Sequence, residues 1–378
     1  MKVLRQPFGK NSEVSLFTLG TMRAVESPKQ MIEVLTSAFD AGINHIETAP
    51  VYGKAEEYLG KGLQSLLQKG LVPRGGWVIT SKILPEVKLR EGKEQLREML
   101  IRLKISKIDN LAIHGINLEK HLEWAVKGEG AELLRWAKKE GLINQVGFSS
   151  HGEISLIKTA IESRQFNFCS LHVHLLDQIR IPLAKLALKK GMGVMAISPA
   201  DKGGHLHTPS QTLINDCKPI PPLELAYRFL LSNGISTLTL GAYQAEDLQL
   251  AKKLRNSNHP LNKTEESSIA RLKEKQKKRL GETFCGQCQA CLPCPSLIPI
   301  SELLRLRNLT IGHNLSSYTK ERYNLINRAG HWWEKTNAND CNRCGDCLPR
   351  CPHKLPIPEL LEDTHLLLKD KPQRRLWD

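Results

Sequence analysis

The feature that most limits the possible folds is an eightfold alternation of short apolar segments with amphipathic segments. The apolar segments predict β-strands over residues 15–20, 43–49, 76–83, 108–115, 143–149, 167–174, 192–199 and 235–241. The amphipathic segments have helical periodicity and predict helices near residues 28–41, 55–69, 91–104, 119–140, 153–164, 182–190, 222–233 and 244–255. Eight βα units in about 250 residues match the count and length of a closed (β/α)8 TIM barrel. An open doubly wound sheet is the alternative, and the complete count of eight favours closure.

The two ends of the chain differ from this repeating region. Residues 1–14 precede the first unit and could form a hairpin that closes the barrel floor. Residues 251–282 carry ten Lys and Arg against four Glu, which is +6 of the formal net charge of +15. We therefore expect an α/β barrel over residues 1–255, a basic helical linker over 256–282, and a small, mostly helical second domain over 283–378.

Eight of the ten cysteines lie in the second domain as two compact groups. The groups read Cys285-x2-Cys288-x2-Cys291-x2-Cys294-Pro295 and Cys341-x2-Cys344-x2-Cys347-x3-Cys351-Pro352. In two-cluster ferredoxins, three thiolates at i, i+3 and i+6 bind one cluster, and the fourth, before a proline, binds the other. By this rule one [4Fe–4S] cluster takes Cys285, Cys288, Cys291 and Cys351, and the other takes Cys341, Cys344, Cys347 and Cys294. The spacing thus predicts a ferredoxin-like domain with two [4Fe–4S] clusters.

Two structural zinc sites are the alternative for these cysteines. Zinc sites usually combine two Cys-x2-Cys pairs across a longer loop, whereas each group here packs its four cysteines together. Adjacent disulfides within one group would be strained. The N-terminus lacks the apolar core of a secretory signal, and no apolar run is long enough for a membrane span. We therefore expect a cytoplasmic protein whose thiols stay reduced.

Four polar residues stand where the predicted barrel would place catalytic groups, at the C-terminal ends of its strands. Glu47 ends the second barrel strand, and Tyr52 follows in the next loop. Lys82 ends the third strand and His114 ends the fourth. A lone tyrosine or histidine at such a position more often serves packing, and a buried lysine is rare. The functional interpretation depends on all four occurring together.

Motifs around these residues resemble those of the aldo/keto reductase family over roughly residues 14–255. The matching runs are Gly42-Ile43-Asn44-His45-Ile46-Glu47-Thr48-Ala49, Tyr52-Gly53, Glu57-Tyr58-Leu59-Gly60, Thr80-Ser81-Lys82, His114, Val146-Gly147-Phe148-Ser149 and Lys202-Gly203-Gly204. With its cysteine-rich tail, the whole chain resembles the branch of that family that is fused to a C-terminal ferredoxin-type dicluster domain. The resemblance implies carbonyl reduction by hydride from NADP(H) or NAD(H).

The resemblance also implies a role for each of the four polar residues. Tyr52 would donate a proton to the carbonyl oxygen, and the nearby Lys82 cation would lower the pKa of its phenol toward working pH. Glu47, where the family has Asp, would keep Lys82 charged and oriented, although its carboxylate reaches one methylene farther. His114 would donate a hydrogen bond to the substrate oxygen.

The same resemblance places the cofactor contacts at Ser149, Ser150, Ser170, Ile197, Lys202 and Gly203. Several of these depart from the family pattern, which usually has Asn at position 150, Gln at 170 and an aromatic residue at 197. The run 241–247 after the eighth strand also lacks the basic residue that often receives the 2′-phosphate. The proton-transfer residues are therefore nearly intact, while the predicted nicotinamide contacts are depleted.

Four further histidines raise the alternative of a mononuclear metal site. His172 and His174 share a face of the sixth barrel strand, and His205 and His207 lie in the seventh loop. No nearby carboxylate completes a metal-binding spacing. A packing or solvated role is therefore favoured for these histidines.

Together these observations predict an iron–sulfur oxidoreductase that reduces a small carbonyl substrate in its barrel and transfers electrons through its clusters. The main alternative is an electron-transfer or redox-sensing protein whose barrel is catalytically degenerate. The net charge would also suit nucleic acid, but the basic run 252–279 has no aromatic residues to stack on bases. We expect this run to bind an acidic redox partner protein instead. A zinc-stapled nucleic-acid binder is a third, less favoured alternative.

Overall fold

A computed structural model of the chain describes residues 3–10, 12–326 and 336–371. The chain forms two compact units. The first, here called the barrel unit, comprises the described residues up to Lys202 together with Ala226–Pro260. The second, the cluster unit, comprises Gly203–Leu225 and the described residues from Leu261 onward. The polypeptide therefore passes into the cluster unit and back between the seventh and eighth barrel strands.

Eight parallel strands close into the barrel that the apolar alternation predicts. The strands of the described residues are β1 (Arg5–Pro7), β2 (Glu13–Ser15), β3 (Phe17–Gly20), β4 (His45–Glu47), β5 (Val78–Ile83), β6 (Ile108–Ile113), β7 (Ile143–Ser150), β8 (Phe168–Leu171), β9 (Gly193–Ala196) and β10 (Thr237–Gly241). Strands β3 to β10 follow one another around the barrel. Strand β10 pairs with β3, from Leu238 opposite Phe17 to Gly241 opposite Gly20. This pairing confirms the closed (β/α)8 fold over the open sheet.

Helices connect the strands and also build the cluster unit. The helices of the described residues are α1 (Pro28–Asp40), α2 (Ala55–Gln68), α3 (Leu89–Leu103), α4 (Glu119–Val126), α5 (Glu129–Lys139), α6 (Ile154–Glu162), α7 (Ile181–Lys189), α8 (Gln211–Cys217), α9 (Pro222–Ser232), α10 (Gln249–Leu254), α11 (Lys263–Leu280), α12 (Ile300–His313), α13 (Ser316–Tyr323) and α14 (Ile357–Leu368). Local sequence determines where helix α1 begins. The Ser27 side chain accepts a hydrogen bond from the Gln30 N–H, and Pro28 suits the first helical position. None of the described helices combines the length and apolar character needed to cross a membrane.

Two helical segments differ from the expectation. The predicted helix 119–140 is two helices, α4 and α5, which separate before Glu129. Gly130 lies so close to Trp124 that a Cβ at position 130 would stand 2.6 Å from the indole ring. Helix α8, which the alternation did not predict, begins after Ser210, whose side chain accepts a hydrogen bond from the Leu213 N–H.

An N-terminal hairpin covers the end of the barrel where the strands begin. Strands β1 and β2 pair antiparallel, as expected for a floor-closing segment. Phe8 lies between them and is fully buried, with its ring 5.2 Å from that of His45 and 5.0 Å from that of Phe168. Because His45 and Phe168 are the first residues of β4 and β8, Phe8 plugs the end opposite the strand C-termini.

A layer of polar side chains lies inside the barrel beside this plug, which the apolar strand pattern did not predict. His45 lies 2.7 Å from Thr18 Oγ1 through Nδ1 and 2.6 Å from Thr80 Oγ1 through Nε2. Gln145 donates a 2.7 Å hydrogen bond to Asn110 Oδ1. Burial lowers the pKa of His45 to about 3, so its imidazole is neutral near pH 7. Because these buried groups are hydrogen-bonded, the layer avoids the cost of unpaired polar atoms.

The segment between the seventh and eighth barrel strands is anchored inside the cluster unit. The side chain of Asp216, in α8, is fully buried and accepts hydrogen bonds of 2.5 and 2.9 Å from the Arg279 guanidinium. Lys275 Nζ lies 3.5 Å from the same carboxylate, and His313 Nδ1 lies 3.8 Å away. Burial acts to raise the pKa of Asp216, but the Arg279 guanidinium outweighs it, and the net shift is downward.

The basic segment, predicted to be a helical linker over 256–282, contains helix α11, which packs within the cluster unit. Helix α11 belongs to the cluster unit, and Ile269, Leu272 and Leu280 on it are buried. Asn262 caps the helix, since its side chain accepts from the Glu265 N–H at 2.9 Å. The apolar residues at helical spacing explain this packing. The predicted domain limits at 255 and 282 therefore differ from the division that the structure shows.

Candidate active site and cluster sites

The polar residues predicted for catalysis meet at the C-terminal ends of neighbouring barrel strands. Glu47 is the last residue of β4, Lys82 lies one residue before the end of β5, and His114 directly follows β6. Parallel pairing sets Glu47 opposite Thr80, so the ends of these strands lie side by side. Tyr52 enters from the turn after β4, where its N–H donates to the Ala49 carbonyl at 3.0 Å.

Lys82 is the centre of this group. Its Nζ donates a 2.8 Å hydrogen bond to Tyr52 Oη and a 3.1 Å hydrogen bond to the Thr48 carbonyl. The same nitrogen contacts the Glu47 carboxylate. Tyr52 Oη lies 3.5 Å from Glu47 Oε1, so tyrosine, lysine and glutamate form one connected set. The longer glutamate therefore reaches the lysine, as the predicted role of Glu47 requires.

The electrostatics of this set follow from burial. Burial lowers the pKa of Lys82 well below its usual value, and the charge of Lys202 lowers it further. The Glu47 carboxylate opposes this shift because it favours the ammonium form. Burial raises the pKa of Tyr52, which is opposite to the direction expected from Lys82 alone. Tyr52 is therefore held as a protonated phenol, the form that a proton donor needs.

His114 completes the group from the end of β6, the fourth barrel strand. It is 8% exposed, and its ring stands edge-on to that of Tyr52 with centroids 6.1 Å apart. The backbone N–H of His114 donates a 2.7 Å hydrogen bond to the Ile83 carbonyl, which connects the ends of β5 and β6. The structure therefore brings together all four residues that the sequence singled out.

The second cysteine group and Cys294 line one cavity in the cluster unit. This cavity is partly open to solvent and comprises about 320 Å³ of space not filled by atoms. Its cysteines are Cys294, Cys341, Cys344 and Cys347. Cys294 thus lies with the second group although it belongs to the first in sequence. This is the exchange that the Cys-Pro rule predicts.

The remaining four cysteines lie close enough to one another to interact. Burial raises the pKa of Cys285 to about 11, and the charges of Cys291, Cys288 and Cys351 add to that shift. Asn308 fixes the Cys285 backbone, since its Nδ2 donates to the Cys285 carbonyl at 2.8 Å. None of the ten cysteines, all of which lie in the described residues, forms a disulfide. Two sets of four free thiols suit two clusters.

Comparison with known proteins gives two matches along the chain. Residues 16–216 match the model of the aldo/keto reductase family, which is more than half of the chain. The chain belongs to the aldo/keto reductase family. Residues 284–356 match the 4Fe-4S dicluster domain. This aldo/keto reductase is therefore an oxidoreductase that carries an iron–sulfur domain C-terminal to its barrel.

Curated relatives of this aldo/keto reductase share about a quarter of the aligned residues. The uncharacterized oxidoreductase YqkF of Bacillus subtilis (strain 168) is 24% identical over 269 residues, covering 68% of this chain and 78% of that protein. The L-galactose dehydrogenase of Arabidopsis thaliana is 27% identical over 203 residues, covering 49% of this chain and 60% of that protein.

Solved structures support the barrel fold. The aldo-keto reductase AKR11C1 from Bacillus halodurans, in its holo form, gives a TM-score of 0.61 at 19% identity, covering 71% of this chain and 96% of that chain. The Bombyx mori aldo-keto reductase AKR2E4 in complex with NADP gives a TM-score of 0.56 at 20% identity, covering 71% of this chain and 92% of that chain.

The predicted cofactor residues of this aldo/keto reductase differ in what their side chains can still bind. Ser150 Oγ donates to the Ile116 carbonyl at 2.6 Å and accepts from the Gly152 N–H at 2.9 Å, so loop contacts occupy it. Ser149 Oγ accepts from the Gly115 N–H at 3.1 Å and retains its own proton. Ser170 Oγ is buried and has no hydrogen-bond partner among the described residues.

The other three predicted cofactor residues lie after the seventh barrel strand. Ile197 directly follows β9 and is half-buried. Lys202 is half-buried and lies near enough to Lys82 for its charge to act on that lysine. Gly203 is buried, and the division between the two units falls between Lys202 and Gly203. The roles of these residues toward a nicotinamide cofactor stay a prediction.

A stacked histidine group lies at the ends of β7 and β8, and the sequence reasoning found only part of it. His172 Nε2 lies 3.2 Å from His151 Nε2, with ring centroids 4.1 Å apart. The His174 ring lies next, tilted by 47° to that of His172 with the centroids 5.8 Å apart. His205 lies instead in the cluster unit, 3.1 Å from Glu321. Within the described residues no three His, Cys, Asp or Glu side chains are spaced to hold a single metal ion.

Proposed function

We propose that this aldo/keto reductase reduces a small carbonyl substrate with NADPH or NADH and exchanges electrons through two [4Fe–4S] clusters. The observation that carries the proposal is the 2.8 Å hydrogen bond from Lys82 Nζ to Tyr52 Oη, with Glu47 on the same nitrogen. This arrangement sets the phenol of Tyr52 beside a buried lysine at the C-terminal end of the strands, where α/β barrels have their active sites. A structural role alone gives no reason to bury a lysine beside a tyrosine.

Each residue of the group has a distinct part in the proposed reduction. Tyr52 Oη donates its proton to the substrate oxygen as negative charge develops there. Lys82 stabilises the phenolate that this transfer leaves, and Glu47 keeps the lysine protonated and in place. His114 donates a hydrogen bond to the same substrate oxygen and so orients the carbonyl.

The residues around the site fit a nicotinamide group in part. The buried and unpaired Ser170 hydroxyl suits an amide, and the Ser149 hydroxyl retains a proton to donate. Lys202 offers positive charge for a phosphate, and Ile197 offers an apolar surface rather than an aromatic face. A bound nicotinamide would supply the hydride.

The cysteine residues fit two four-iron clusters. One set is Cys285, Cys288, Cys291 and Cys351, and the other is Cys341, Cys344, Cys347 and Cys294. The shared cavity of the second set supports this exchanged assignment. Such clusters would supply one-electron transfer. Because a hydride carries two electrons, two one-electron centres match the electron count of one nicotinamide.

We further propose a cytoplasmic setting and an acidic redox partner that binds the exposed face of α11. The internal contacts of Arg279 and Lys275 with Asp216 reduce the charge that this face presents. Lys277 lies 5.9 Å from the Phe284 ring and Lys278 is exposed, so part of the basic run remains at the surface. Partner binding that weakens with rising salt would support this proposal.

An anaerobic titration with NADPH tests the proposed function. Purified protein should contain about eight iron atoms and be brown. NADPH should bleach the cluster absorbance without a carbonyl substrate, and added aldehydes or quinones should be reduced. Bleaching without carbonyl reduction would separate electron transfer from the proposed reductase chemistry. Absence of NADPH binding would contradict the reductase proposal, and colourless protein that holds zinc would contradict the clusters.

A second candidate is an electron-transfer or redox-sensing protein with a degenerate barrel. The observation that favours it is Ser150, whose hydroxyl is occupied by Ile116 and Gly152 where the family usually has Asn. On this alternative the clusters would exchange electrons with a partner while the barrel binds no nicotinamide. The NADPH-binding step of the titration distinguishes the two candidates.

A further inference from the structure

The two cysteine groups are each followed by the same local structure. Helix α12 begins at Ile300 after Pro299, and α14 begins at Ile357 after Pro356. Both prolines have nearly the same backbone angles, with φ −79° and ψ 66° for Pro299 and φ −74° and ψ 72° for Pro356. The first residue of each helix donates a 2.9 Å hydrogen bond to the residue two positions before it. The structure thus aligns the repeats residue by residue.

One residue pair breaks this repeat beside the cysteines. The second residue of α12 is Ser301, and the second residue of α14 is Pro358. Ser301 is 6% exposed, and its Oγ lies 3.9 Å from Cys291 Sγ. Pro358 lines the cavity of the other cysteine set. Proline has no side-chain donor, so the helix start offers a hydroxyl to one set and a hydrocarbon ring to the other.

We infer that Ser301 is a positioning residue that raises the reduction potential of the cluster bound through Cys291, and that Pro358 withholds this effect from the other cluster. The inference rests on the proposed cluster ligands. With the cysteine as a thiolate, the Ser301 hydroxyl is the donor and the sulfur the acceptor. Hydrogen bonds to cluster sulfurs are among the factors that set the potential. A donor stabilises the reduced cluster more, because that form carries one more negative charge.

This difference gives the domain two unequal electron acceptors from one repeated motif. Arg350 also borders the cavity of the second set, where its guanidinium donates to the Asp346 and Pro293 carbonyls. Its charge acts on the second cluster whichever residue occupies position 301. The effect of Ser301 is therefore measured as a shift in the midpoint reduction potential of one cluster relative to wild type. The midpoint potential of the other cluster serves as an internal reference.

The test is a potentiometric titration of the full chain under argon, followed by electron paramagnetic resonance. Ser301→Ala should lower the midpoint reduction potential of one cluster and leave that of the other cluster unchanged. Ser301→Thr keeps a hydroxyl and should restore the wild-type value. The reciprocal Pro358→Ser should raise the midpoint that Ser301→Ala leaves unchanged.

Iron content separates the failure of this inference from the failure of the proposed function. If the wild type assembles no clusters, the cluster assignment itself is wrong. If all variants hold wild-type iron and Ser301→Ala moves neither midpoint, or moves both equally, the role of Ser301 is wrong. A shift in Ser301→Ala that Ser301→Thr does not restore would assign the effect to helix packing and would also overturn the inference.

Discussion

In the barrel unit, the four catalytic candidates lie at the ends of three strands and in one loop, and they span positions 47 to 114. In the cluster unit, the cysteines of each group lie within ten or eleven residues of one another. The barrel site therefore exists only once neighbouring strands have paired, whereas the spacing of each cysteine group already carries its chemistry. Only the exchange of Cys294 and Cys351 depends on the fold of the cluster unit.

This difference determines how each site should respond to amino-acid substitutions. The barrel group is a connected set in which one lysine nitrogen touches a phenol, a carboxylate and a carbonyl. Removal of one member should disturb the others without affecting the clusters. The cysteine sets are separate from this network, so their loss should leave the phenol and the lysine in place. The predictions below test this independence.

The largest expected effect is that of Tyr52→Phe on carbonyl reduction. Removal of the phenol proton should lower kcat by roughly 10²- to 10⁴-fold. Cluster iron and the visible spectrum should stay at wild-type values, because Tyr52 belongs to the barrel unit and all the proposed cluster ligands belong to the cluster unit. Steady-state reduction of an aldehyde panel measures the first effect and iron analysis the second. Tyr58→Phe, a buried tyrosine on the neighbouring α2, is the matched control and should retain activity. Wild-type turnover in Tyr52→Phe would remove the tyrosine from the mechanism.

The next effect concerns the exchanged cysteine. Cys294→Ala should remove the cluster of the second group, although Cys294 belongs to the first group in sequence. Iron content should fall from about eight toward about four atoms. The cluster signal that disappears from the redox titration should be the one that Cys344→Ala removes. It should differ from the signal that Cys288→Ala removes. Cys169→Ala, a buried cysteine of β8, serves as the control and should keep all the iron. Loss of the Cys288 signal instead would assign each cluster to a contiguous group.

The same contrast explains how much of the molecule could be predicted from the sequence. The barrel count, the strand order and the four catalytic candidates followed from periodicity and from the ends of strands. The polar layer around His45 did not, because its members come from different strands and only the fold brings them together. The segment of α11 was predicted as a helical linker, but its packing was not predicted, because its charges outnumber the few apolar residues at helical spacing. The contacts of Ser150 depend on loop conformation, which residue types alone do not determine.

A smaller effect is expected for Glu47→Gln, which keeps the shape of the side chain and removes its charge. Without the carboxylate, the pKa of Lys82 should fall further, because burial and Lys202 already lower it. Activity should drop by up to about 100-fold, and its alkaline limb should move to lower pH. A pH profile of kcat measures this shift. Glu57→Gln removes an exposed carboxylate paired with Lys61 at 2.6 Å and should leave the profile unchanged. If the alkaline limb of the kcat profile does not move in Glu47→Gln, Glu47 does not control the pKa of Lys82.

The smallest effect lies in the polar layer of the barrel and appears as acid sensitivity. The pKa of buried His45 is lowered to about 3, whereas an unfolded histidine titrates near 6.5. As the pH falls from 6.5 toward 3, His45 binds a proton in the unfolded chain but stays neutral in the folded chain. The free energy of unfolding should therefore decrease with falling pH in this window, by about 1 kcal/mol between pH 6.5 and 5.5 for one such group.

Substitution by a neutral residue tests that assignment. His45→Gln should make the denaturant midpoint less dependent on pH in this window, since glutamine does not titrate. His207→Gln, which removes an exposed imidazole, should leave the slope at its wild-type value. An equal slope in the wild type and in His45→Gln would mean that the barrel layer does not limit acid stability. The reason for expecting otherwise is local: both imidazole nitrogens are held by threonine hydroxyls, so a second ring proton would disrupt a bond that the neutral ring makes.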